Sequence, residues 1–293
     1  MSDINLQNII ECKNITHHFG KKHIYKDLNL SAKKGKVTGL LGKNGVGKST
    51  LINIIMGNLA PSFGECLIFG KSVFELDNAE KADIALLYEG HVSYDFLTIS
   101  QIERYYAKFY GLRWRAELYY ELIDKMGASY NQKISTLSCG QRSQVALGLI
   151  FAQDPQILIL DDYSMGLDAG YRRLFVDYLG EFVSNKDKSV FLTTHIVADL
   201  ENLIDDVVIL RRDEPPYMDT LSNFRANLKG YEIDLKYADN LSSLNLTSIV
   251  KYKDKMQIFG FANDIEHIQS EKYQMKELNL SFEEAFLGLV GRY

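Results

Sequence analysis

The octapeptide Gly42-Lys43-Asn44-Gly45-Val46-Gly47-Lys48-Ser49 constrains this chain more than any other stretch. It fits G-x-x-x-x-G-K-[ST] and lies between an apolar run at 37–41 and a segment, 48–56, in which Leu51, Ile54 and Ile55 fall at helical spacing. Strand, glycine loop and helix are the setting in which such a loop works. Glycines let backbone N–H groups converge on phosphate oxygens, the following helix turns its positive end toward them, and the lysine reaches the outer phosphates. The Ser49 hydroxyl can ligand Mg²⁺, and Thr50 follows it among the candidate binding residues. These features predict a nucleoside triphosphate site.

Such a loop needs a carboxylate for the metal at the end of a neighbouring apolar strand. Ile157-Leu158-Ile159-Leu160-Asp161-Asp162 supplies it, with Asp161 on the metal side. Further apolar runs at 84–87, 190–193 and 207–210 alternate with helix-like segments, which predicts an α/β core around a mostly parallel sheet. The stretch 98–153 reads as mainly helical, opened by a capping box at Ser100-Gln101-Ile102-Glu103 and carrying Ile102, Tyr105, Tyr106 and Phe109 on one face. With Tyr110, Trp114, Tyr119 and Tyr120 it is rich in aromatics, which suits either the core of a helical subdomain or a surface for a partner.

Pro215-Pro216 marks a turn, followed by a polar helical stretch to about 229. Two domains are expected, 1–229 and 230–293. In the second, strand patterns at 231–237 and 255–261 and a helix start at Ser281 predict a small α+β module.

Composition excludes several alternatives. A chain of 293 residues that is 46% hydrophobic can bury a large core. Lys+Arg 33 against Asp+Glu 38 gives −5, so no positive field holds a phosphate backbone and no nucleic-acid partner is expected. Cys12, Cys66 and Cys139 are scattered without metal-ligand spacing and offer no disulfide framework, and His17-His18 has no recognisable ligand partner. The sequence shows neither a basic-then-apolar leader nor a run approaching about 18 apolar residues, so the chain is expected not to cross a bilayer alone.

Around this core stand Phe19, Leu137-Ser138-Cys139-Gly140-Gln141, Gly166-Leu167-Asp168, and His195 after the run ending Thr193-Thr194. The ordered set, over residues 4–224, resembles the ATP-binding-cassette family. The five-residue element is similar to that family's LSGGQ signature with Cys139 in place of a glycine. The acidic strand resembles its Walker B motif, Gly166-Leu167-Asp168 its D-loop, His195 its switch histidine and Phe19 its adenine-stacking aromatic. The resemblance implies ATP and Mg²⁺ as cofactors. It also implies a head-to-tail pair of cassettes, as a homodimer or heterodimer, in which Ser138, Gly140 and Gln141 of one subunit close the nucleotide held by the loop of the other.

Two departures bear on rate. Asp162 stands where the family usually has a glutamate that polarises the attacking water, and Glu89 where it usually has a glutamine near the metal. An aspartate is one methylene, about 1.5 Å, shorter. A catalytic group misplaced by about 1 Å can cost on the order of a hundredfold, so slow hydrolysis is expected. The resemblance implies an ATPase subunit docked to separate transmembrane permease subunits at the cytoplasmic face of the membrane. Leu278-Asn279-Leu280-Ser281-Phe282-Glu283-Glu284-Ala285-Phe286 is similar to the tail of export-type ATPases. The rival readings are a nucleotide-gated clamp with little turnover and a soluble cassette ATPase outside transport.

Overall fold

The computed structural model describes residues 8–88, 94–162, 168–184, 187–194, 201–237, 245–265 and 275–291. The chain divides into two units, Met1–Tyr217 and Met218–Tyr293.

In chain order the first unit holds β1 (Asn8–Phe19), β2 (Lys22–Lys33), β3 (Val37–Gly42), α1 (Lys48–Ile55), β4 (Phe63–Ile68), β5 (Lys71–Ser72), α2 (Asn78–Ala82) and β6 (Ile84–Tyr88). There follow α3 (Ile99–Tyr110), α4 (Ala116–Met126), α5 (Cys139–Ala152), β7 (Ile157–Asp161), α6 (Ala169–Ser184), β8 (Ser189–Thr193) and β9 (Asp206–Leu210). Strands β9, β3, β8, β7 and β6 lie side by side in that order, all parallel. Every residue of β7 and β8 is buried, the physical reason these strands read as unbroken apolar runs. The mostly parallel α/β core therefore stands as expected. One detail differs: β8 lies between the loop strand β3 and the acidic strand β7, so the two are not adjacent.

A second sheet, antiparallel and in the order β2-β1-β4-β5, has no counterpart among the expected strands. Its strands mix buried apolar positions with exposed polar ones and carry bulges, so neither a long apolar run nor a clean alternation marks them. The sheet closes over α1 with a shared core that includes Ile10, Ile15, Leu30, Leu51, Ile55 and Ile68. Within it Cys12 and Cys66 are register partners, with their sulfurs 3.5 Å apart and both thiols free.

The stretch 98–153 is helical as expected, but its start is corrected. Thr98, extended at φ −81°, caps α3 by accepting the Gln101 amide, while Gln101 returns a bond to the Thr98 amide. The box is Thr98/Gln101, not Ser100/Glu103, because Glu103 is buried and accepts from Trp114 Nε1 at 2.7 Å and Tyr120 Oη at 3.2 Å. The expected aromatic face splits in the same way: Ile102 and Tyr119 are core and Tyr106 packs against it, whereas Tyr105 and Phe109 are exposed.

The division between units falls within the short strand β10 (Tyr217–Thr220), ahead of the 229 read from the sequence. The reason is continuity: α7 (Leu221–Asn227) runs straight into β11 (Leu228–Asp234), leaving no linker between them. In the second unit β12 (Ser248–Lys251), β13 (Lys255–Phe261), β11 and β14 (Lys276–Glu277) pair antiparallel in that order. The helix Phe282–Val290, capped by Ser281 and Glu284, buries Phe282, Ala285 and Leu289. Among the described residues no helix is long and apolar enough to cross a membrane.

Candidate functional site

The loop between β3 and α1 turns on glycines. Gly42, Gly45 and Gly47 sit at φ 155°, 74° and 116°, where a side chain would be strained. Gly47 caps α1 without a side-chain bond to the helix amides, and Lys48 begins the helix. Lys48 is buried, and its Nζ donates to the carbonyls of Gly42 at 2.7 Å and Lys43 at 3.3 Å. Burial lowers its pKa, and the charges of Asp162 and Asp161 counter that shift. The lysine is thus folded back across its own loop and held by neutral acceptors that a phosphate can replace. Val46, through its amide to the Lys43 carbonyl at 3.3 Å, closes the turn.

At the end of β7 Asp161 is buried and accepts from Thr193 Oγ1 at 2.8 Å. The same hydroxyl accepts the Asp162 amide at 2.9 Å. Thr193, on the intervening strand β8, therefore ties both aspartates to the sheet. Asp162 itself is at φ 50°, a left-handed conformation that aspartate tolerates better than most residues. On the other side of β7, Tyr88 Oη donates to Asn53 Oδ1 at 2.7 Å, and Asn53 Nδ2 donates to the Ser49 carbonyl at 2.8 Å, which links β6 to the first turn of α1.

These groups border one cavity of about 470 Å³, lined by Asn44, Gly45, Gly47, Lys48, Ser49, Thr50, Asp161, Asp162 and Thr193, with Phe19, Lys22 and Ile24 at the β1–β2 hairpin. Phe19 is 52% exposed and available to stack on a planar ring, and His17 meets its ring edge-on at 4.7 Å between centroids. The donor set fits a polyphosphate with Mg²⁺: amides and an ammonium for the anion, and a hydroxyl and a buried carboxylate for a metal that completes its shell with phosphate and water. Among the described residues no cluster of three or more His, Cys, Asp or Glu is placed to hold a metal by protein alone.

Ser138, Gly140 and Gln141 are not brought to this cavity. Ser138 caps α5, accepting the Gln141 amide at 3.2 Å, and Gln141 Oε1 accepts the Ser138 amide at 3.0 Å. Gly140 packs so closely on Tyr171 that a Cβ would lie 2.4 Å from its ring. Asp168 holds the Tyr171 amide at 3.0 Å. Glu89, Gly166, Leu167 and His195 lie outside the described residues. Sequence reasoning passed over Thr193 and Lys22, although the end of the run 190–194, just before His195, pointed to Thr193.

A glycine loop around a drawn-back lysine, with a pinned aspartate across one strand, defines a phosphate-binding nucleotide cassette. Residues 25–164 match the ABC transporter family model. The chain is 31% identical over 201 residues to the probable multidrug ABC transporter ATP-binding protein YbhF of Escherichia coli (strain K12), covering 67% of this chain and 34% of that protein. It thus spans about a third of YbhF's length. It is 26% identical over 313 residues to the linearmycin resistance ATP-binding protein LnrL of Bacillus subtilis (strain 168), covering 97% of this chain and 99% of that one. Its backbone is similar to a solved structure of the ATP-binding subunit of an ABC transporter, with a TM-score of 0.66 and 25% identity, over 74% of this chain and 92% of the other. This chain belongs to the ABC transporter family.

Proposed function

We propose that this chain is the ATP-binding and ATP-hydrolysing subunit of an exporter, working on the cytoplasmic face of a membrane as one of a pair of cassettes. The observation that carries the reading is the single cavity in which Lys48, Ser49 and Asp161 converge at the start of α1. Gly42, Lys43, Asn44, Gly45, Val46, Gly47 and Thr50 shape and line the phosphate loop, and Phe19 stacks on the base. Ser49 and Asp161, with Glu89, would hold Mg²⁺, which when bound would neutralise charge on the phosphates. Asp162 orients the attacking water, and His195, outside the described residues, is the other catalytic candidate the resemblance implies. Ser138, Gly140 and Gln141 serve the partner's nucleotide, which agrees with their position at the N-terminal end of α5, opened by the exposed Ser138, rather than in this chain's own cavity.

Export rather than import is favoured by the names of relatives, a linearmycin resistance protein and a Nod factor export protein among them. Docking to transmembrane permease subunits is supported by an exposed aromatic patch. Tyr94, Phe96, Tyr105 and Phe109 stand with neighbouring ring centroids 5.2–6.2 Å apart, and Leu112, three residues on from Phe109, is fully exposed.

The test is nucleotide-driven pairing. Sedimentation of the purified chain with Mg-ATP is expected to show pairing in the parent and none in Lys48→Ala, whose affinity for ATP falls at least about a hundredfold with the loss of a buried cation. Equal pairing by both proteins refutes the reading. In the same preparation Asp162→Glu is expected to hydrolyse ATP faster, by up to about a hundredfold, because the added methylene restores reach. An unchanged or slower variant removes Asp162 from the chemistry.

A further inference from the structure

Tyr25 belongs to none of the motifs above, yet it touches the loop at its tightest point. Strand β2 brings its ring against the loop, where it is buried, and its hydroxyl donates to the carbonyl of Gly47. That carbonyl also accepts the amide of Leu51 at 2.9 Å. The approach is so close that a Cβ on Gly47 would lie 2.4 Å from Tyr25 Oη and 2.8 Å from Cγ2 of Ile24. Conformation and Tyr25 together thus close this position to any residue but glycine.

In a trans peptide the carbonyl of one residue and the amide of the next point in opposite directions. Holding the Gly47 carbonyl against Tyr25 therefore aims the Lys48 amide out of the N-terminal end of α1, where Lys48, Ser49 and Thr50 line the cavity. We infer that Tyr25 is a positioning residue for phosphate binding, its hydroxyl pinning the Gly47 carbonyl so that the amides opening α1 are set before a nucleotide arrives. The inference rests on the nucleotide-binding reading and adds to it a residue that never touches the ligand. The hydroxyl, rather than ring bulk, carries the role. A cavity of about 300 Å³ bordered by Leu28, Val46, Leu210 and Pro215 lies along the tyrosine, so packing alone leaves it room to shift. Burial holds the hydroxyl well above the usual tyrosine range, so it remains a donor at any working pH.

Tyr25→Phe removes one oxygen and keeps the ring. Calorimetric titration with Mg-ATP is expected to show Kd raised about three- to tenfold, the weight of one hydrogen bond, with the nucleotide-free Tm lowered by no more than about 4 °C. In turnover, KM for ATP rises by the same factor while kcat holds. Tyr25→Leu is expected to lose at least as much affinity as Tyr25→Phe. If Phe binds like the parent and only Leu is impaired, ring bulk is responsible and the inference is overturned. A parent that fails to bind Mg-ATP overturns the nucleotide reading and this one with it, whereas a binding parent matched by Tyr25→Phe overturns this one alone. Hydrogen exchange of the nucleotide-free parent supplies a check that needs no variant: the Leu51 amide is expected to be protected, and rapid exchange there overturns the pinning.

Discussion

The loop around Gly47 and the helix end at Ser138, the two halves of the proposed composite site, are prepared in opposite ways. In the first, the partners come from outside the loop: the buried Asp161 is held by Thr193, the carbonyl of the half-buried Gly47 by Tyr25, and the carbonyl of the exposed Ser49 by Asn53. In the second, Ser138 is exposed, Gln141 is half-buried, and the two satisfy each other. A buried polar group must find its partner in the fold, because water cannot reach it. An exposed cap can exchange its partner at little cost, since water or a ligand replaces the lost bond. The contrast matches the proposal that the loop binds by itself and the helix end is recruited by a second molecule.

Three measurements sharpen that contrast, beginning with the largest effect. Thr193→Val removes the hydroxyl shared by Asp161 and the Asp162 amide, leaving buried polar atoms short of partners. It is expected to cost about 1–3 kcal/mol in denaturant unfolding and to weaken Mg-ATP binding by the isolated chain. A variant as stable as the parent breaks the idea that the loop half is held by the sheet. Ser138→Ala is expected to cost about 1 kcal/mol through loss of the cap, to leave the isolated chain's affinity for ATP unchanged, and to weaken nucleotide-driven pairing. If it weakens binding by the single chain instead, the two halves are not separate. The smallest effect concerns pH at the hairpin under Phe19. Burial, with the neighbouring His18, lowers the pKa of His17, whose ring nitrogens have no hydrogen-bond partner among the described residues. The unfolded chain therefore takes up the proton first, and stability is expected to fall as pH drops below about 6.5. Tm followed from pH 8 to pH 5 checks the sign, and His17→Phe is expected to flatten the slope.

Much of the nucleotide side was legible because its chemistry is local. The run Gly42–Ser49 and the pair Asp161-Asp162 are contiguous, and a strand buried on both faces announces itself by composition. The antiparallel sheet was not legible. Its strands carry bulges and polar positions, and Cys12 and Cys66, 54 residues apart in sequence, meet only through strand pairing. The start of α3 was misread for a related reason: Ser100 and Glu103 have the right letters, but the burial of Glu103 against Trp114 and Tyr120 leaves Thr98 and Gln101 to make the cap.

By itself the amino-acid order determined the class of ligand, because a phosphate loop, its helix and an acidic strand end each need only neighbours along the chain. Tertiary structure alone decided which groups hold that loop in place. Tyr25, Thr193 and Tyr88 come from three different strands, and a hydrogen bond between strands depends on register and burial, which no short window of sequence contains.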